Sequence, residues 1–184
     1  MVESCLPDNF NAMRRVLLLF LVLYAGPHIL HGKGHNTLEI SLVAAMQPEC
    51  PLSVSGIEML PHNKGYGARV SNSSKLKVTE YEIHWIAAAP PGCSPKAEAR
   101  PTVLSRAVHA TIAPNDSATS PASRVQTTEL AKIAGDLGTA HLQVQVGVAR
   151  VRFENGSFWQ ADSDDEIFAP SLLKQDSDKC QEAK

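Results

Sequence analysis

This chain has little charge imbalance, few aromatic side chains and no residue spacing that spells out a reaction. Its 17 Lys and Arg stand against 19 Asp and Glu, for a formal net charge of -2. Within residues 36–160 the count is eleven basic to ten acidic, so there is no basic field to hold nucleic acid. No G-x-S-x-G elbow is present, and Cys93 lies in a Pro-rich stretch without a basic neighbour to stabilise a thiolate. These absences remove the hydrolase signatures, and no catalytic residue and no cofactor is assigned. The acidic run Asp162, Asp164, Asp165 and Glu166 has Ile167 where a calcium loop of the EF type needs Gly, so it reads as solvated surface.

Long apolar stretches are also missing. The greasiest segment, residues 16–30, is interrupted by Gly26, Pro27 and His28 and falls short of the roughly 20 residues a spanning helix needs. Arg14 and Arg15 stand directly before the unbroken apolar run 16–24, the charged-then-apolar layout of a secretory signal. A chain starting at Met13 would open Met-Arg-Arg and run straight into it. No A-x-A triplet marks a cut, and Pro27 blocks cleavage just after Gly26, whereas Gly32 and Gly34 supply small residues at the required spacing. A cut after Gly34 makes His35 the first mature residue. The expectation is a signal peptide over residues 1–34 and a secreted or periplasmic protein. The alternative is an amino-terminal anchor helix that keeps residues 16–30 in the membrane.

Cysteine is scarce, with four in the chain. Cys5 leaves with the signal, and of Cys50, Cys93 and Cys180 two can pair in an oxidising compartment. All three pairings are open on sequence grounds, since a bridge needs Cα atoms within about 7 Å. If strands run up and down in order, Cys50 begins one and Cys93 ends one two strands later. That places them at opposite ends of a sheet and favours Cys93 with Cys180.

What is present is alternation. Tyr81, Ile83, Trp85 and Ala87 alternate with Glu80, Glu82, His84 and Ile86, a period of two with one apolar face. Residues 67–71 lead into the turn formers Asn72, Ser73 and Ser74, which predicts a hairpin setting Ala68 and Val70 beside Tyr81 and Ile83. Asn155-Gly156 predicts a second hairpin on a two-residue type I′ turn, pairing Phe153 with Phe158 on the core side and Arg152 with Trp159 on the other. Leu142, Val144, Val146 and Val148 are out of phase with Val151 and Phe153, so a β-bulge is predicted near residues 147–150. Residues 52–60 and 103–112 add extended stretches, and residues 38–44 an edge strand. Residues 90–101 and 114–123 are Pro-, Ser- and Asn-rich and read as surface loops. A short crossover helix fits residues 127–137, with a Thr cap ahead and Gly135 and Gly138 behind. Together these predict an all-β immunoglobulin-like β-sandwich over residues 36–160. From residue 161 the balance turns to seven acidic against three basic residues, a flexible acidic tail.

The segments VSNSSKLKVTEYEIHW and VGVARVRFENGSFW, with a short helix between them, resemble secreted immunoglobulin-like domains of the FxLYD-like type in uncharacterised bacterial proteins. The resemblance covers about residues 50–160. It implies a turn between two sandwich strands over residues 72–85 and a closing hairpin over residues 147–159. It carries over structure only, with no catalytic or binding residue.

Histidine offers the sharpest alternative. His28, His31 and His35 form a short tract, but a cut after Gly34 removes two of them. An amino-terminal His35 would chelate copper through its α-amine and ring, as in secreted copper monooxygenases, with His84 or His109 as second ligand. Three N-x-S/T sequons, at Asn72, Asn115 and Asn155, also read simply as turns, and no glycan is assigned. The leading expectation is a non-enzymatic exported module that meets an unidentified protein partner at the cell envelope through loops or an exposed sheet edge.

Overall fold

The computed structural model describes residues 25–30, 38–95 and 100–163, the first of these as backbone only. Among the described residues ten strands and one α-helix follow one another. They are β1 (Ala25–Leu30), β2 (Leu38–Ala44), β3 (Leu52–Met59), β4 (Gly65–Asn72), β5 (Val78–Ala88), β6 (Thr102–Ile112), β7 (Ser117–Thr119), β8 (Val125–Gln126), α1 (Thr127–Leu137), β9 (His141–Phe153) and β10 (Phe158–Gln160). One sheet runs β1-β2-β9-β5-β6, with β10 also on β9; the other runs β3-β4-β7, with β8 also on β4. The pairing of β2 with β9 is parallel and the other pairings are antiparallel. Among the described residues no helix is long and apolar enough to cross a membrane.

The alternation read along β5 dictates how the sheets meet. Tyr81, Ile83, Trp85 and Ala87 are all buried in one cluster with Val144, Val146 and Val148 of β9 and with Tyr66, Ala68 and Val70 of β4. Two sheets thus cover each other's apolar faces. Helix α1 crosses from one sheet to the other and buries Leu130, Ile133, Ala134 and Leu137, the one-sided stripe that a 3.6-residue period produces. Its bounds match the sequence expectation, but its cap is Gln126 rather than a Thr. The Gln126 N–H donates to Glu129 Oε2 at 2.9 Å, while Thr127 Oγ1 instead donates to the Asn63 carbonyl at 3.0 Å. Gly138, at φ 69°, closes the other end in the left-handed conformation that favours glycine.

The predicted bulge is present. Glu82 pairs with Arg150 and Ile83 with Val148, so Ala149 is the extra residue that reconciles the two phases.

Three expectations are corrected. Strands β4 and β5 form no hairpin, because they belong to different sheets. Asn72 turns the chain between them: it is 1% exposed, and its side chain bonds across the corner instead of leaving a free β-turn. Residues 114–123 are not merely a surface loop, since β7 pairs with β4 and Ser123, fully buried, donates its hydroxyl to the Ala68 carbonyl at 3.3 Å. Phe158 is not core, being 68% exposed. The turn holds three residues rather than two: Gly156 N–H donates to the Phe153 carbonyl, Gly156 alone takes positive φ, and Phe158 pairs with Arg152. A type I′ turn needs positive φ at Asn155 as well. The one-residue slip exchanges faces, so Phe158 turns outward and Trp159 packs on the core. Ahead of these, Ala25–Leu30 is a strand paired with β2, with a register shift between Ala25 and His28. Gly26 and Pro27 stand at that shift, where helix is least favoured. Residues 1–24 lie outside the described residues.

One edge of β9 shows how a side chain substitutes for a strand. Strand β2 covers β9 as far as Val146, and β10 covers it from Arg150. In the gap, the Gln47 amide donates Nε2–H to the Val148 carbonyl and accepts the Val148 N–H at Oε1, both at 2.8 Å. Removing it leaves two buried backbone groups unpaired. Gln47→Ala is expected to lower stability by about 1–3 kcal/mol, measured as a shift of the urea midpoint at unchanged slope.

Candidate interaction edge and charged outer face

Strand β6 is the outermost described strand of its sheet on one side, and it pairs only with β5 among the described residues. Its burial alternates along eleven residues, with Val103, Ser105, Ala107, His109 and Thr111 exposed. Natural edges are usually short or blocked by Lys or Pro. β6 has neither residue. One device remains: Arg106 points inward, donating Nε–H to the Arg124 carbonyl at 3.1 Å and Nη2–H to Glu129 at 2.6 Å. Burial pushes the Glu129 carboxyl up, but the Gln126 N–H and the Arg106 guanidinium prevail and hold it below its ordinary value.

On the outer face beside β6 lies a ladder of charge. Glu80 faces Arg152 at 4.0 Å, Arg150 at 3.6 Å and His109 at 4.0 Å. Glu82 faces Arg150 at 3.7 Å and His84 at 3.1 Å, and it also accepts the Ser105 hydroxyl proton at the same oxygen, Oε1. The hydrogen bond from Ser105, followed by the one from His84, lowers the Glu82 carboxyl below its ordinary range. The hydrogen bond to Glu82 orients the Ser105 hydroxyl across the β5–β6 pair. Glu82 and His84, with Arg150, Asp162 and Ser163, line a cleft of about 310 Å³. A neighbouring cleft of about 340 Å³ shares Gln160 and Asp162 and is walled by Met46, Cys50 and Trp159.

A carboxyl lowered in the folded state contributes stability above its unfolded value, and that contribution is lost as pH falls through the folded value. Glu82 starts from 4.5, so the loss lies below that pH. The urea midpoint is expected to fall as the pH drops below 4.5, and Glu82→Gln to flatten part of that fall. Glu129 supplies a further part.

The copper reading joins His35 to His84 or to His109. His35 lies outside the described residues. His84 and His109 are both on the outer face, but four positions along β5 and one strand across separate them, since His109 pairs with Glu80. That spacing is about 14 Å by strand geometry, whereas nitrogens sharing one metal lie within about 4 Å of each other. Each imidazole is instead beside a glutamate. Among the described residues no group of three His, Cys, Asp or Glu is placed to hold a metal. Cys50 is buried where β3 begins, and its N–H donates to the Gln47 carbonyl at 3.1 Å. Cys93 sits beyond the far end of β5, next to Ser94, whose hydroxyl donates to the Leu137 carbonyl at 2.6 Å. Cys180 lies outside the described residues.

Sequence reading found Glu82 and His84 on one face of β5, but not Ser105 or Arg150, which the pairing of β6 and β9 brings to them. The long β6 stretch was legible; its position at the edge was not. No family model, curated protein or solved structure matches the chain.

Proposed function

We propose that this chain is an exported, non-enzymatic β-sandwich module of the cell envelope that binds an extended segment of a partner protein along β6. The observation that carries the reading is an eleven-residue edge strand, paired on one side and exposed on its outer face, without the Lys or Pro that would block addition of a further strand. Two facing sheets around one core, closed by the Asn155-Gly156 hairpin with Trp159 after it, support the immunoglobulin-like, FxLYD-like assignment. The test is a photo-reactive amino acid placed at Val103 in the producing cells, with Lys132 on exposed α1 as control. A protein adduct of defined mass at position 103 and none at 132 is expected. Absence of any adduct at 103, or equal labelling at both positions, overturns the edge reading.

Export rests on Arg14, Arg15 and the apolar run 16–24. Cleavage after Gly34 would remove β1, while β2 stays fixed by its parallel pairing with β9. The placement of Cys50 and Cys93 toward opposite ends of the molecule supports a Cys93–Cys180 bridge. It would form by thiol–disulfide exchange, the two thiols losing two protons and two electrons to a disulfide donor of the exported compartment. Intact mass and a non-reduced peptide map of the secreted protein test both points: a first residue His35 and a linked Cys93–Cys180 peptide are expected. Retention of residues 16–30 sinks the cleaved-signal reading.

A further inference from the structure

Strand β6 has a property that a receptor for unrelated strands does not need: it is complementary to itself. In a two-fold interface the same patch stands on both sides, so residues equidistant from the axis meet. An antiparallel pairing of two β6 strands about an axis through Ala107 overlaps all eleven residues of the strand. On the outer face Val103 then meets Thr111 of the second copy, Ser105 meets its His109, and Ala107 meets its own equivalent. The ends thus set β-branched side chains opposite each other, a favourable cross-strand pair. The His109 side chain, 80% exposed, faces a small hydroxyl instead of a second cation. On the inner face Arg106 falls opposite Val108, and its guanidinium is already held by Glu129 at 2.6 Å and by the Arg124 carbonyl. Moving the axis to Arg106 shortens the overlap and sets two cationic side chains against each other. The geometry of the strand suits the joint as well. Residues 102–109 keep an unbroken register with β5, and the shift in that pairing lies beyond His109, so the central pairs fall in regular strand. Charge on the outer face does not oppose it. Glu82 pairs with Ala107, so the two Glu82 carboxylates would stand three strand spacings apart, about 14 Å, which exceeds a Debye length. Each also has Arg150 beside it at 3.7 Å.

We infer that the strand received at β6 is β6 of a second copy of this chain, joined antiparallel about a two-fold axis at Ala107 so that one sheet continues across both copies. The inference rests on the edge reading given under Proposed function and names its occupant. Eleven facing pairs supply about ten backbone hydrogen bonds along about 36 Å of edge. A single strand pair buries less than about 1,200 Å² in total, the class of weak, reversible interfaces, so a dissociation constant of about 1–100 µM is expected. With a formal net charge of only -2 on each copy, long-range repulsion adds little to that.

Sedimentation velocity of the full chain from about 1 to about 300 µM is expected to show a reversible monomer–dimer equilibrium with its midpoint inside that range. Ala107→Lys sets like charges opposite each other on the axis, at a position exposed in the single copy, and should raise the dissociation constant at least about tenfold. Ser53→Lys, on exposed β3 of the other sheet, should leave it unchanged. Register is read with the photo-reactive residue at position 103: the adduct should have twice the mass of the chain, and the peptide it captures should contain Thr111. A chain that stays monomeric throughout, or a dimer that Ala107→Lys leaves intact, overturns the inference. So does an adduct at position 103 with a different protein, which leaves the edge reading standing. Absence of any adduct at 103 sinks both. Should Ala107→Lys fail to fold, the captured peptide in the chain altered only at position 103 still decides.

Discussion

Trp85→Ala is expected to cost about 3–5 kcal/mol, a large share of the roughly 5–15 kcal/mol that holds a domain of this size together. Trp85 is fully buried between the sheets, and its indole Nε1–H donates to the Ser123 carbonyl at 2.9 Å. Two losses therefore combine. A large cavity opens at the centre of the core, and a buried carbonyl in the segment between β7 and β8 loses its donor. Trp85→Phe separates them, because it keeps most of the apolar volume and removes the bond; about 1–2 kcal/mol is expected. Urea titration followed by far-ultraviolet circular dichroism measures both. A cost for Trp85→Ala within 1 kcal/mol of that for Trp85→Phe would mean that volume contributes little and that the core relaxes into the space.

The second large effect is expected at Asn72, a polar residue at 1% exposure. Its Nδ2 shares two hydrogens among the carbonyls of Leu76, Ile112 and Ala113, at 2.9, 3.1 and 3.2 Å. Its Oδ1 accepts the Ser74 N–H at 3.0 Å and the Ser74 hydroxyl at 2.7 Å. One side chain thus ties the end of β4 to the approach of β5 and to the end of β6, joining the two sheets at a corner. Asn72→Ala leaves several buried groups unpaired and should cost about 2–4 kcal/mol. Asn72→Asp should cost more, since it presents a carboxylate to three carbonyl oxygens with no donor between them. Equal melting temperatures for the Ala variant and the parent would show that water satisfies the corner. The same burial settles the reading of the sequon at Asn72: the amide nitrogen that would carry a glycan is enclosed and committed to hydrogen bonds.

Both effects come from long-range partners, and that divides what could be read from the chain alone. Alternation marked β5 and the core side of β9 correctly, and the phase break between Val148 and Val151 located the bulge at Ala149, because side-chain direction in a strand is fixed by local geometry. The helix over residues 127–137 was equally legible, since its apolar stripe and its closing glycine are local signals. Export features in residues 1–34 were visible only as a pattern.

What the sequence did not contain was partnership. Nothing local tells Gly65–Asn72 that β3, β7 and β8 are its neighbours rather than β5, and a turn-rich Asn-Ser-Ser stretch looks the same whether it closes a hairpin or bends between sheets. Phe158 shows the limit at its smallest scale: the Asn-Gly turn was recognised, but a loop one residue longer reversed which face each aromatic takes. The outer-face ladder of Glu80, Glu82, Arg150 and Arg152 has the same origin, for those charges meet across strands whose pairing depends on closing one common core. Composition and periodicity determined that this chain folds into apolar-faced strands with one helix. Only the tertiary structure decided which strands share a sheet, because strand pairing is a choice among distant segments made by the total apolar area buried, not by any one of them.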